Sequence, residues 1–177
     1  MLPFGHLAVG YLCYSLLSRA RGRVPEAWPA IALAVGTQFP DLVDKPLAWY
    51  TAVLPYGRTL AHTLLVAGPV ALGCVLLARR YGPAPLAFAV GWLSHLAADG
   101  VGILLEGELF ELRYLVWPLL GVPAQQHSGV TSFVAQLEVT ALVLFEGVLL
   151  VAALVLWRHD GMPGLSVAWE VFRWNRG

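Results

Sequence analysis

Six ionisable side chains stand inside or beside apolar stretches of this chain: His6, Asp41, Asp44, His62, His95 and Asp99. Imidazole nitrogens and carboxylate oxygens are the ligand set of Zn²⁺ and related divalent ions. Two pairs have helical spacing. His95 and Asp99 are four apart, so on a helix they share a face. Asp41 and Asp44 are three apart and follow Pro40. An ionisable group within a membrane span costs about 2.5–3.5 kcal/mol. Several in so small a chain must pair with one another or hold a cation.

Each residue also has a plainer reading. A single histidine in an apolar helix is commonly a packed, hydrogen-bonded group. Asp41 after Pro40 equally serves as a turn or cap residue. Asp44 could pair with Lys45 or Arg58. Glu138 and Glu146 are eight apart and share a face. They could meet inside a bundle, or Glu138 could serve as a general base. His127 could be a further ligand. Glu106, Glu108 and Glu111 read as a solvated loop face.

Composition says what elements must carry these groups. The 177 residues are 58% hydrophobic and 12% charged, with a mean hydropathy of +0.69. Soluble domains run at about 25% charged. The chain is therefore expected to be an all-α polytopic membrane bundle of about four to five embedded helices. Eleven basic residues balance eleven acidic ones, so no basic field exists to attract nucleic acid. Cys13 and Cys74 lie in apolar runs and read as small buried hydrophobes.

Five apolar stretches can be separated: 3–17, 27–39, 62–78, 85–105 and 137–157. The second is expected to stop at Pro40. The first lacks the basic start and small-residue cleavage site of a signal peptide. With five alternating spans, one side receives Arg19, Arg21, Arg23, Arg79, Arg80, Arg158, Arg173 and Arg176. The other receives Lys45, Arg58 and Arg113. The positive-inside rule then places the C-terminus in the cytoplasm. Residues 1–157 form one membrane domain, and 158–177 a cytoplasmic or interfacial tail. The six His and Asp residues all fall on the side away from the arginines. The expected location is the cell (inner) membrane, with the cluster near its outer face.

The order of short motifs resembles a known family. Pro40-Asp41-Leu42-Val43-Asp44 is similar to its P-D-x-D element, one residue wider. Arg58-Thr59-Leu60-Ala61-His62-Thr63 is similar to its H-R-G-x-T-H-S element, with Gly57 and Ala61 as departures. Gly91-Trp92-Leu93-Ser94-His95 through Asp99 resembles G-x-x-S-H-x-x-x-D. His6 with Gly10, and Trp117-Pro118, match two further elements. The family is the YdjM-like group of membrane-bound proteins classed as metal-dependent hydrolases. The resemblance covers roughly residues 3–120 and implies a polytopic protein with a His/Asp metal site.

Two readings follow. In the first, His6, Asp41, His62, His95 and Asp99 hold one or two divalent ions, most simply Zn²⁺, which activate water. Asp44 bridges or orients a ligand, and Arg58 binds an anionic group of an amphiphilic, lipid-like phosphoester. In the second, the protein is a non-catalytic ion or solute transporter, and the cluster is a cation or proton site. That reading requires a path from the cluster towards the arginine side.

Overall fold

The computed structural model describes residues 1–51, 53–122, 140–165, 167 and 169. Glu138, His127 and most of the C-terminal tail lie outside the described residues. Within them the chain is helical: α1 Pro3–Arg19, α2 Ala27–Trp49, α3 Leu64–Tyr81, α4 Ala84–Glu106, a 3₁₀ helix Leu109–Val116 and α5 Ala141–His159. The sequence dictates most ends. Pro3 opens α1, where its missing N–H costs nothing. Thr63 and Thr140 cap α3 and α5 by accepting from Leu65 N–H and Val143 N–H, each at 3.3 Å. Gly107, at φ 79°, closes α4 in the left-handed region that only glycine enters freely.

Among the described residues, three helices are long and apolar enough to cross a membrane: α3, α4 and α5. That is fewer than the four to five expected. At 17 residues, α1 reaches only about 25 Å at 1.5 Å per residue. The second half of α2 carries Asp41, Asp44 and Lys45. Most of the apolar surface of α3 and α5 faces outward, including Leu72, Leu76, Val148 and Val155. Outward apolar faces on helices of spanning length suit lipid contact. The cysteines follow the same logic. Cys13 is exposed and Cys74 partly so, rather than buried as expected.

The bundle is organised around α2 and α4. α1 packs on both and also on α5, while α3 packs on α4. Small residues set the approach. A Cβ on Gly36 would fall on the Phe88 carbonyl, and one on Gly91 would fall on the Leu33 carbonyl. The two helices therefore cross backbone to backbone, as membrane helices do at small residues. This contact explains why Pro40 does not end α2. The fully buried Pro40 gives up one intrahelical bond, but packing against α4 holds the turn and the helix continues through Pro46 to Trp49.

Two apolar clusters stack along the bundle. Tyr11, Tyr14, Leu33 and Ala87 fill the arginine end. Ala61, Ala67, Trp92 and Leu96 fill the other, flanked by Phe39, Phe88 and Leu115. Trp92 Nε1 donates to the Ala61 carbonyl at 2.7 Å and so pins the segment before α3 onto α4. The Thr63 hydroxyl lies 3.0 Å from the Leu115 carbonyl and 2.9 Å from that of Trp117. These ties hold the loop against the 3₁₀ helix. At the arginine end, the buried Asp160 carboxylate accepts from Tyr11 at 2.8 Å, Ser15 at 2.6 Å and Arg19. It thereby latches α5 to α1.

Candidate metal centre

Alternation of helix direction brings the chemistry to one end. His6 lies in the first turn of α1, and Asp41 and Asp44 in the second half of α2. His62 stands just before α3, and His95 and Asp99 in the second half of α4. His62 was expected to begin the helix. Instead Thr63 takes the cap position, which leaves His62 in the loop with its backbone N–H free for another partner.

That partner is Asp44, which is fully buried. Its Oδ2 accepts from Thr59 N–H at 2.8 Å and His62 N–H at 3.2 Å; its Oδ1 accepts from Ala61 N–H at 2.8 Å. Oδ2 also takes the ring N–H of His62 Nδ1 at 2.8 Å. Asp44 thus folds the loop and orients the imidazole, and it pairs with neither Lys45 nor Arg58. Lys45 instead donates to Asp41 at 2.6 Å, and Arg58 Nε donates to Asp99 at 2.9 Å.

His95 is oriented in the same way. Its Nδ1 lies 2.7 Å from the Thr37 carbonyl, which can only accept, so Nδ1 carries the hydrogen. With both Nδ1 atoms donating outward, the two Nε2 atoms face inward as acceptors. They are 3.2 Å apart. Asp41 Oδ1 lies 3.5 Å from His62 Nε2 and 3.8 Å from His95 Nε2. Asp99 Oδ2 lies 3.9 Å from each. Asp41 Oδ1 and the two Nε2 atoms converge as a group able to hold an ion, with Asp99 Oδ2 beside them, and facing lone pairs repel unless a cation sits between them.

A tetrahedral ion with bonds of about 2.0–2.2 Å sets its ligands about 3.4 Å apart. The separations within Asp41, His62 and His95 bracket that value, so this triad fits such an ion. A proton can satisfy the same demand. Burial opposes charge on His62, but Asp41 and Asp44 prevail and raise its pKa above the ordinary histidine value. A metal ion held here would compete with a proton for one place.

His6 completes the cluster from α1. Its ring stacks on His95 with centroids 3.7 Å apart, and its Nε2 lies 3.3 Å from Asp99 Oδ1. The Met1 amino group lies 3.4 Å from the same oxygen. His6 Nδ1 is buried with no hydrogen-bond partner among the described residues. Among the described residues, two overlapping triads could hold a metal ion: His6, His95, Asp99 and Asp41, His62, His95. His95 belongs to both and offers only Nε2, so the two triads share one ligand.

The five residues read from sequence as ligands are thus neighbours, and Asp44 and Arg58 touch them. Sequence reasoning missed the Thr37 carbonyl, because a backbone acceptor has no residue signature. It also missed Lys45 as the partner of Asp41, although their i,i+4 spacing was visible. Glu146 was read as a bundle-interior residue. It is buried on α5 and accepts from Leu2 N–H at 2.9 Å. A Cβ on Gly5 would meet it at 2.5 Å.

The sequence model of a family described as YdjM inner membrane protein matches residues 1–159. The match takes in every residue of the cluster, and the chain belongs to this family. Neither curated proteins nor solved structures provide a match to the chain.

Proposed function

We propose that this member of the YdjM family is a metal-dependent hydrolase of the inner membrane, with its site near the outer face. One observation carries the reading: the two histidine Nε2 atoms face each other at 3.2 Å between two carboxylates. Their tautomers are fixed from behind by Asp44 and Thr37. That is a preorganised acceptor set, held by the outer partners that tune metal sites.

His62, His95, Asp41 and Asp99 would hold the ion, most simply Zn²⁺, and His6 would adjoin it through Asp99. A bound ion of this kind supplies water whose pKa is lowered to about 7. The chain's own residues do the rest. Asp44 and the Thr37 carbonyl keep the imidazoles aimed. Arg58, partly exposed beside Asp99, would bind an anionic oxygen of the substrate. Placement at the end of an apolar bundle suits an amphiphilic phosphoester. On this reading residues 1–157 form the membrane domain and the tail from 158 lies on the cytoplasmic side.

A transporter would need a polar route towards the arginine end. That route is filled by Tyr11, Tyr14, Leu33 and Ala87. Leu33 lies eight residues before Asp41, about 12 Å along α2. This packing favours the hydrolase. The test is hydrolysis of a chromogenic phosphodiester by the purified chain loaded with Zn²⁺ or Mn²⁺. Activity that disappears in His95→Ala supports the reading; none with either metal refutes it.

A further inference from the structure

A cavity of about 340 Å³ opens beside the cluster, lined by Lys45, Trp49, Tyr56 and Arg58 on one side and by Leu142 and Glu146 of α5 on the other. We propose that this cavity is an anion subsite for a phosphate group, and that a metal ion in the adjoining cluster switches it on. The inference rests on the metal reading above and adds the cavity, Lys45 as a second cation and their coupling to the ion.

The charge arrangement carries it. Lys45 and Arg58 stand between the carboxylates and the cavity, 23% and 28% exposed. Each is engaged by a carboxylate of the cluster, Lys45 by Asp41 and Arg58 by Asp99. Asp41, Asp44, Asp99 and Glu146 outnumber Lys45, Arg58 and the Met1 amino group, which also lines the cavity, so with neutral imidazoles the ensemble carries one negative charge and repels an anion. A divalent ion reverses that sign. It also takes over charge on Asp41 and Asp99, which weakens their hold on Lys45 and Arg58. Both cations already face the cavity and can then engage a ligand there. Two donors of this kind suit a phosphate, with the Arg58 guanidinium as the directional partner and Lys45 as the point charge.

The opposite wall confines the ligand. Glu146 is buried, held by Leu2 N–H, and repels an anion towards the Lys45 side. Leu142 and Val143 make that wall apolar. A phosphoester therefore fits with its phosphate on the cations and its organic part along α5.

The experiment is calorimetric titration of inorganic phosphate into the full chain in detergent, with and without Zn²⁺, zinc content being measured on the same samples. The expected result is phosphate affinity at least about fivefold higher in the zinc-loaded protein, within the usual range of site coupling. Lys45→Met, and separately Leu142→Trp, should weaken loaded-state binding by about tenfold at unchanged zinc content. Phosphate affinity that ignores both variants while zinc is retained overturns the proposal, because the anion then sits on the ion alone. A chain that retains no zinc refutes the metal reading instead. Phosphate binding that is still lost in Lys45→Met would then keep the cavity but not its switch. A second arm uses nanodiscs with or without phosphatidate. Competition with phosphate assigns the subsite to a lipid headgroup; its absence assigns it to a water-soluble phosphoester.

Discussion

Asp44 is the residue whose substitution tests most of the architecture at once. It is fully buried and accepts four hydrogen bonds: three from the backbone of Thr59, Ala61 and His62, and one from the His62 ring. Asp44→Leu leaves three backbone donors buried and unpaired. At about 1–3 kcal/mol each, the loss is about 3–9 kcal/mol. That approaches the whole stability of about 5–15 kcal/mol expected of a folded protein, so this variant should not accumulate. Asp44→Asn is the informative change. The amide can keep one acceptor oxygen where three donors meet and turn its NH₂ towards Ala61 N–H. Only one bond is then lost, and the cost is about 1–3 kcal/mol. The His62 tautomer survives but its partner is no longer anionic, and metal affinity should fall about 10–100-fold. Thermal unfolding in detergent and competition with a chromophoric chelator measure the two effects. Asn at wild-type metal affinity, together with a folded Leu variant, would refute the role given to Asp44.

Four further outcomes follow from the same geometry. Gly36→Ala and Gly91→Ala should each lower stability by at least about 1–3 kcal/mol, the cost of overpacking, whereas Gly73→Ala, with open space around its Cβ, should be neutral or gain about 0.5–1 kcal/mol; unfolding midpoints decide. Partial burial pushes the Asp160 pKa up, but Ser15, Tyr11 and Arg19 prevail and hold it below the ordinary carboxylate range. Its stabilisation is therefore present above the unfolded value of about 3.9 and lost as pH falls through the lower folded value. The midpoint difference between wild type and Asp160→Asn should be constant from neutral pH to about 4 and shrink below it. Chelator treatment should lower the unfolding midpoint, because an ion at 100 times its Kd adds about 2.7 kcal/mol. Zinc affinity should weaken on acidification, as a proton takes the place between His62 and His95.

Much of this site can be read from residue types alone, because ionisable groups in apolar runs are conspicuous and alternating helices must collect them at one end. The His95–Asp99 spacing places both on one face of α4, and the structure keeps them there. What could not be read is whatever depends on how backbones meet. Pro40 is a helix breaker locally, but the Gly36–Gly91 crossing with α4 supplies packing that no window around residue 40 contains. The Thr37 carbonyl reaches His95 because of that crossing, and it fixes a tautomer that no motif encodes. From sequence, Asp44 either bridges the ion or orients a ligating histidine, and it is the His62 ring that it meets. Its oxygens are otherwise spent on a loop whose N–H groups carry no side-chain label. Lys45 was legible as an i,i+4 partner of Asp41, and the choice between Asp41 and Asp44 was settled by which carboxylate the loop consumed.

The central claim is that His62, His95, Asp41 and Asp99 form a cation-demanding acceptor set. Metal analysis of the purified chain against a His95→Ala, Asp99→Ala double variant, both shown to be folded, tests it most directly. His95 is common to both possible triads, so its loss removes either. The account predicts bound divalent metal in the wild type and none retained by the variant. Equal metal content in the two proteins would contradict it.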